Sequence, residues 1–198
     1  MRVKNINILP WVGLVLALLF FSKSGYLYVK AELSQLLIAK AWNQLLLDGN
    51  LSKAKPWSWA DTYPIAKITS QRANKTLYIL EGTSGEALAF GPGHYEGTAL
   101  PAEEGESVIA GHRDSHFSFL RESKIGDRFS IQNYKNTKAV YQIEEIKIVD
   151  SSKEKLKVNK NKNRLQLITC YPFDAIKAGG NMRYVLYATR LEKKNYYK

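Results

Sequence analysis

Cysteine is all but missing from this 198-residue chain. Cys170 stands alone, so no intramolecular disulfide can form and no cysteine-rich zinc module can be built. Histidine is nearly as scarce: three residues leave little material for a histidine-rich metal centre. No internal repeat is visible, and long apolar runs are confined to the amino terminus. Acidic residues are outnumbered, 18 against 29 Lys and Arg, giving a formal net charge of +11. Such a charge favours acidic partners such as nucleic acid, anionic lipid or a polyanionic wall. Its distribution is patchy. Residues 151–164 carry six Lys/Arg against one Glu, whereas residues 96–111 carry four Glu and no base. The aromatic-interleaved basic stripe of a nucleic-acid module is absent, and the lysine stretch reads as a solvated loop. What is present is a globular composition: 45% hydrophobic, 24% charged, with 12 Tyr, 7 Phe and 4 Trp to fill a core.

Residues 5–22 carry no charge, and with Tyr26–Val29 the apolar stretch reaches about 20 residues, the length of a transmembrane helix. Arg2, Lys4 and the amino group precede it, which keeps the amino end cytoplasmic, although Lys23 and Lys30 on the far side weigh against that. A cleaved signal peptide is the rival reading, and Ser22-Lys23-Ser24 makes a poor cleavage site for it. The expectation is a single-pass anchor over 1–30 in the inner (cytoplasmic) membrane, with the remainder on the extracytoplasmic, periplasmic side. Over 31–47, Leu33, Leu36, Leu37, Ala41 and Leu45 recur at three- and four-residue spacing, an amphipathic helix stopped by Asp48-Gly49-Asn50. Packing on the following domain or lying on a membrane surface would each use its apolar face. An irregular connector runs to residue 63.

From Ala66 the period changes to two. Short strands are expected at 66–70, 76–80, 87–90, 107–110, 128–131, 138–150, 164–169 and 182–191, punctuated by Gly, Pro, Asn and Asp turns. About eight strands with little helix between them predict a mostly β sandwich or closed barrel over 64–192, followed by a basic tail at 193–198.

Cys170 ends the apolar strand Arg164–Thr169, and Pro172 stops the ladder two residues later. A buried packing cysteine is the plain reading of Cys170 alone. His112 ends another apolar run, Val108-Ile109-Ala110-Gly111, and alone it reads as a loop histidine. His116 is a neighbour, and His94 lies in a Gly-rich turn with no strand to present it. Arg183 enters the last strand on the face of Val185 and Tyr187, where a charge needs a partner. Cys170 and Arg183 bound one strand–loop–strand unit. Thiolate chemistry needs a nucleophile, a proton carrier and an oxyanion donor, and Cys, His and Arg supply the three roles.

Three segments, Ala110-Gly111-His112-Arg113, Leu167-Ile168-Thr169-Cys170 and Asn181-Met182-Arg183-Tyr184-Val185, in this order resemble the sortase family. The Gly-His-Arg form is similar to sortases of classes D and E. The leading apolar segment followed by the Leu/Ala/Trp helix is similar to Gram-negative-type sortases. The resemblance implies an eight-stranded sortase-type β-barrel and a cysteine transpeptidase of the hydrolase class with no cofactor. It implies that Cys170 attacks an LPXTG-like sorting signal of a secreted protein, passing the acyl group to an amine or to water. His112 would move the protons and Arg183 would steady the oxyanion. The Tyr171 N–H would be a second oxyanion donor, and Thr169 would shape the substrate floor. Glu103, Glu104 and Glu106 read as a solvated acidic loop, not a metal site. Two other classes stay in view: a non-catalytic anchored β-domain that binds an envelope partner, and an L,D-transpeptidase-like wall enzyme. The latter expects Ser-x-Gly-Cys-x-Arg, whereas this chain reads Ile-Thr-Cys-Tyr-Pro.

Overall fold

The structure, a computed structural model, describes residues 33–176 and 179–192. The anchor expected over 1–30 and the tail at 193–198 lie outside the described residues. Among those described, no helix is long and apolar enough to cross a membrane. The chain divides into two units between Leu36 and Leu37, and the description that follows concerns the second.

Helix α1, residues 33–48, buries Ile38, Ala41, Trp42 and Leu45, a spacing of three and four that keeps one stripe against the domain. The Trp42 ring lies 6.1 Å from that of Tyr78. Gly49 ends the helix in the left-handed region, φ +64, with its N–H on the Leu45 carbonyl.

Eight strands follow: β1 Pro64–Ser70, β2 Lys75–Glu81, β3 Gly93–His94, β4 Glu106–Ala110, β5 Arg128–Asn133, β6 Lys138–Asp150, β7 Arg164–Cys170 and β8 Met182–Arg190. They close into a barrel in the order β1-β2-β3-β4-β7-β8-β6-β5, so no edge is left open. Alternation drives the closure. Ile68, Ile79, Ile109, Phe129, Ile131, Tyr141, Leu165, Leu167 and Leu186 all point into one buried cluster.

Two local expectations are corrected. Residues 87–90 are not a strand but lie in helix α2, Gly85–Phe90. Ser84 caps it by accepting the Ala87 N–H at 3.0 Å, and Glu86 sits in its first turn. The two-residue strand β3 falls where a turn was expected, and it does present His94. It pairs parallel with β2 and antiparallel with β4. A Cβ on Gly93 would sit 2.2 Å from the Gly82 carbonyl oxygen, so only glycine allows this approach.

The pair that matters most for function is β4 with β7. They run parallel in a constant register, Glu106 opposite Arg164 through Ala110 opposite Ile168. A parallel pair needs a long crossover, here residues 111–163, whose last part runs back along β4 and β7. Gln166 donates Nε2–H to the Lys157 carbonyl at 2.8 Å, and the Asn159 N–H donates to Glu106 Oε2 at 2.5 Å. Glu106, fully buried, also takes the Arg164 guanidinium. With its backbone held this way, Lys153, Lys155, Lys157, Lys160 and Lys162 face solvent.

Candidate active site

Ala110 is the last residue of β4, and the ladder goes one bond further: the Gly111 N–H donates to the Ile168 carbonyl at 3.0 Å. Carrying the same register on by two residues sets His112 beside Cys170. Gly111 is required at this point, because a Cβ there would lie 2.8 Å from the buried Phe117 ring. The chain then turns back, with the Phe117 N–H on the His112 carbonyl at 2.9 Å. The imidazole of His112 is exposed, at the rim of the barrel, and Cys170 is half-buried.

On the other side of β7, Cys170 stands opposite Arg183 in the antiparallel β7–β8 ladder. Directly opposed side chains share a face, with Cβ atoms about 4.5–5.5 Å apart. The Arg183 guanidinium is folded back, Nη1 donating to the carbonyls of Gly180 at 2.5 Å and Met182 at 3.0 Å. Three strands, β4, β7 and β8, thus bring a thiol, an imidazole and a guanidinium to one end of the barrel.

Tyr171 and Thr169 are bonded to backbone carbonyls in this structure. The Tyr171 N–H is spent on the Met182 carbonyl at 3.0 Å, so in this conformation it has no proton to offer an oxyanion. The Tyr171 ring instead begins an aromatic row, 6.4 Å from Phe173, which is 5.1 Å from Tyr184. Thr169 is buried. Its hydroxyl donates to the Gly111 carbonyl at 2.7 Å.

Of the remaining histidines, His94 is buried and bonded to Glu81, Thr98 and the Ala99 carbonyl. His116 is half-buried against α2. Loss of solvation holds its pKa below the usual imidazole value, while bonds to the Ala89 and Leu88 carbonyls oppose the shift and the charge of His112 adds to it. The expected solvated acidic loop is corrected at Glu106, which opens β4 and is buried against Arg164, while Glu103 pairs with Lys135 at 2.8 Å.

Sequence reasoning used Arg113 only as part of the Gly-His-Arg form and gave it no role, yet it sits beside His112 and is only 6% exposed. A base following the histidine in a short polar turn gives no periodicity to read.

A model of the sortase domain family matches residues 68–191, the span of the barrel from β1 to the end of β8. Sortase D of Bacillus subtilis is 34% identical over 121 residues, covering 61% of this chain and 60% of that protein's length. Sortase A from Corynebacterium diphtheriae superposes with a TM-score of 0.59 at 29% identity, over 76% of this chain and 70% of that one. A Clostridium perfringens Sortase D5 transpeptidase superposes at 0.56 with 27% identity, over 66% and 80%.

Proposed function

The chain belongs to the sortase family of cysteine transpeptidases, and from that premise we propose that it cleaves an LPXTG-like sorting signal on a secreted protein, with Cys170 as nucleophile. The observation that carries this reading is the shared end of β4, β7 and β8, which gathers His112, Cys170 and Arg183.

The Cys170 thiol passes its proton to His112 as its sulfur adds to the carbonyl carbon of the Thr–Gly bond, and the carbonyl oxygen becomes an oxyanion. Arg183 donates to that oxygen once its side chain turns from the Gly180 and Met182 carbonyls toward Cys170. Collapse breaks the C–N bond. His112 gives its proton to the departing glycine amine, leaving a thioester on Cys170. An incoming amine then loses a proton to His112 and attacks the thioester. The C–S bond breaks and the thiol is restored. Water in place of the amine gives hydrolysis.

The proposal places the domain outside the cytoplasm, tethered to the inner membrane by residues 1–30, as in Gram-negative-type sortases. The amphipathic segment 31–63 links that tether to the barrel at 64–192. The uncharged run at 5–22 supports the tether.

The test uses the full chain and a fluorogenic peptide ending in a Leu-Pro-x-Thr-Gly segment. Wild-type protein should cleave it and show a thioester-linked acyl mass on Cys170. Cys170→Ala should give neither product nor adduct. Cleavage retained in Cys170→Ala would overturn the reading.

A further inference from the structure

Arg113 lies beside His112, is only 6% exposed, and donates three hydrogen bonds. Its Nη1 donates to the Pro172 carbonyl at 2.7 Å and its Nη2 to the Ala175 carbonyl at 2.6 Å. Its Nε donates to Asp114 Oδ1 at 3.0 Å. Both carbonyls belong to the loop between β7 and β8, two and five residues past Cys170. A buried guanidinium depends on its acceptors, and these bonds offset the cost of taking its charge out of water.

The position of these bonds is what gives them a consequence. Gly111, before His112, is tied to Ile168 and Thr169, before Cys170. Arg113, after His112, is tied to Pro172 and Ala175, after Cys170. Each of the two residues is therefore clamped to the other's flank on both sides. The strand register alone supplies only the first clamp.

We infer that Arg113 is a positioning residue: by bridging the turn that carries His112 to the loop that follows Cys170, it sets the separation of imidazole and thiol and holds that loop in its working shape. The inference rests on the reading of Cys170 and His112 as the reacting pair. Lysine cannot substitute, since a single ammonium has no planar fork to span two carbonyls.

The experiment compares Arg113→Ala and Arg113→Lys with wild type and with Cys170→Ala, as full chains, on the sorting peptide. A misplaced catalytic pair should lower kcat by roughly 10- to 100-fold, with KM changed far less and the cooperative thermal transition kept. Lysine should not restore kcat. Millimolar guanidinium ion, which fits the space left by Arg113→Ala, should restore part of it and leave wild type unchanged. An Arg113→Ala kcat within about two-fold of wild type, or a rise in KM alone, overturns the inference. So does rescue by lysine. Should Arg113→Ala not fold, Arg113→Gln, which keeps an N–H for Pro172 without the charge, is judged by the same kcat and KM criteria. Activity in Cys170→Ala would sink the nucleophile assignment instead, so the two failures are distinguishable.

Discussion

The Thr169 hydroxyl donates to the Gly111 carbonyl at 2.7 Å, bonding the residue before Cys170 directly to the residue before His112. The bond crosses from β7 to the end of β4 in a partly buried setting and ties the two chain segments together at the rim.

Thr169→Val keeps the shape of the side chain and removes the donor. The partly buried Gly111 carbonyl would then lose that partner, and one such hydrogen bond is typically worth about 0.5–1.5 kcal/mol net. The urea midpoint should fall accordingly, and peptide cleavage should fall more than the midpoint predicts, because the rim loosens at the site. Thr169→Ser keeps the hydroxyl and should recover most of both. A Thr169→Val protein matching wild type in both measurements would show that the bond does nothing for the rim.

Arg183 is expected to act on the oxyanion and not on the thiol itself. Arg183→Ala should lose about 10²–10³ in turnover, the usual effect of removing one oxyanion donor. Labelling of Cys170 by a methanethiosulfonate probe should stay near the wild-type rate. Arg183→Lys should not rescue turnover, since a point charge lacks the planar fork. Turnover within a few-fold of wild type in Arg183→Ala would reduce Arg183 to a strand residue that caps its own loop.

His116 should make the fold sensitive to acid. Burial lowers its pKa in the folded chain below the ordinary 6.5. The unfolded chain therefore takes up the proton first, and the stabilisation is complete above the unfolded value of about 6.5 and declines as pH falls below it. His116→Gln is neutral throughout and retains an N–H donor. Its denaturant midpoint should drop less between pH 7 and pH 5 than that of wild type. Parallel pH curves for the two proteins would remove His116 as a source of acid lability.

Much of the barrel could be read from the sequence because two-residue alternation survives wherever one face is buried. Residues 164–170 and 182–190 show this, and there the expected strands and the observed ones nearly coincide. Residues 87–90 misled because four residues are too few to separate period two from period 3.6. The deciding signal was Ser84 as a helix cap. Strand β3 was invisible because its two residues form it by close backbone approach to β2, which leaves no pattern in side-chain type.

At the site, residue types told more than local spacing did. Cys170, His112 and Arg183 stood out as scarce or charged residues ending apolar strands, and the structure gathers them at one end of the barrel. The supporting bonds did not show. The Thr169 hydroxyl, the Tyr171 N–H and the Arg113 fork all bond to backbone groups far away in sequence, and backbone carbonyls are the same at every position. No residue letter announces which carbonyl will be near.

Strand β8 lies between β7 and β6, two strands that precede it in the chain. It is the keystone of the ring: β6 and β7 both pair with it, and without it each would present a bare edge. The same strand carries Arg183, opposite Cys170. Synthesis proceeds from the amino end, so His112 is made first, the thiol later and the guanidinium last. Closure of the ring and delivery of the third site residue are therefore one event. One strand both seals the ring and sets the guanidinium opposite the thiol, so a change that unseats β8 costs the site together with the fold.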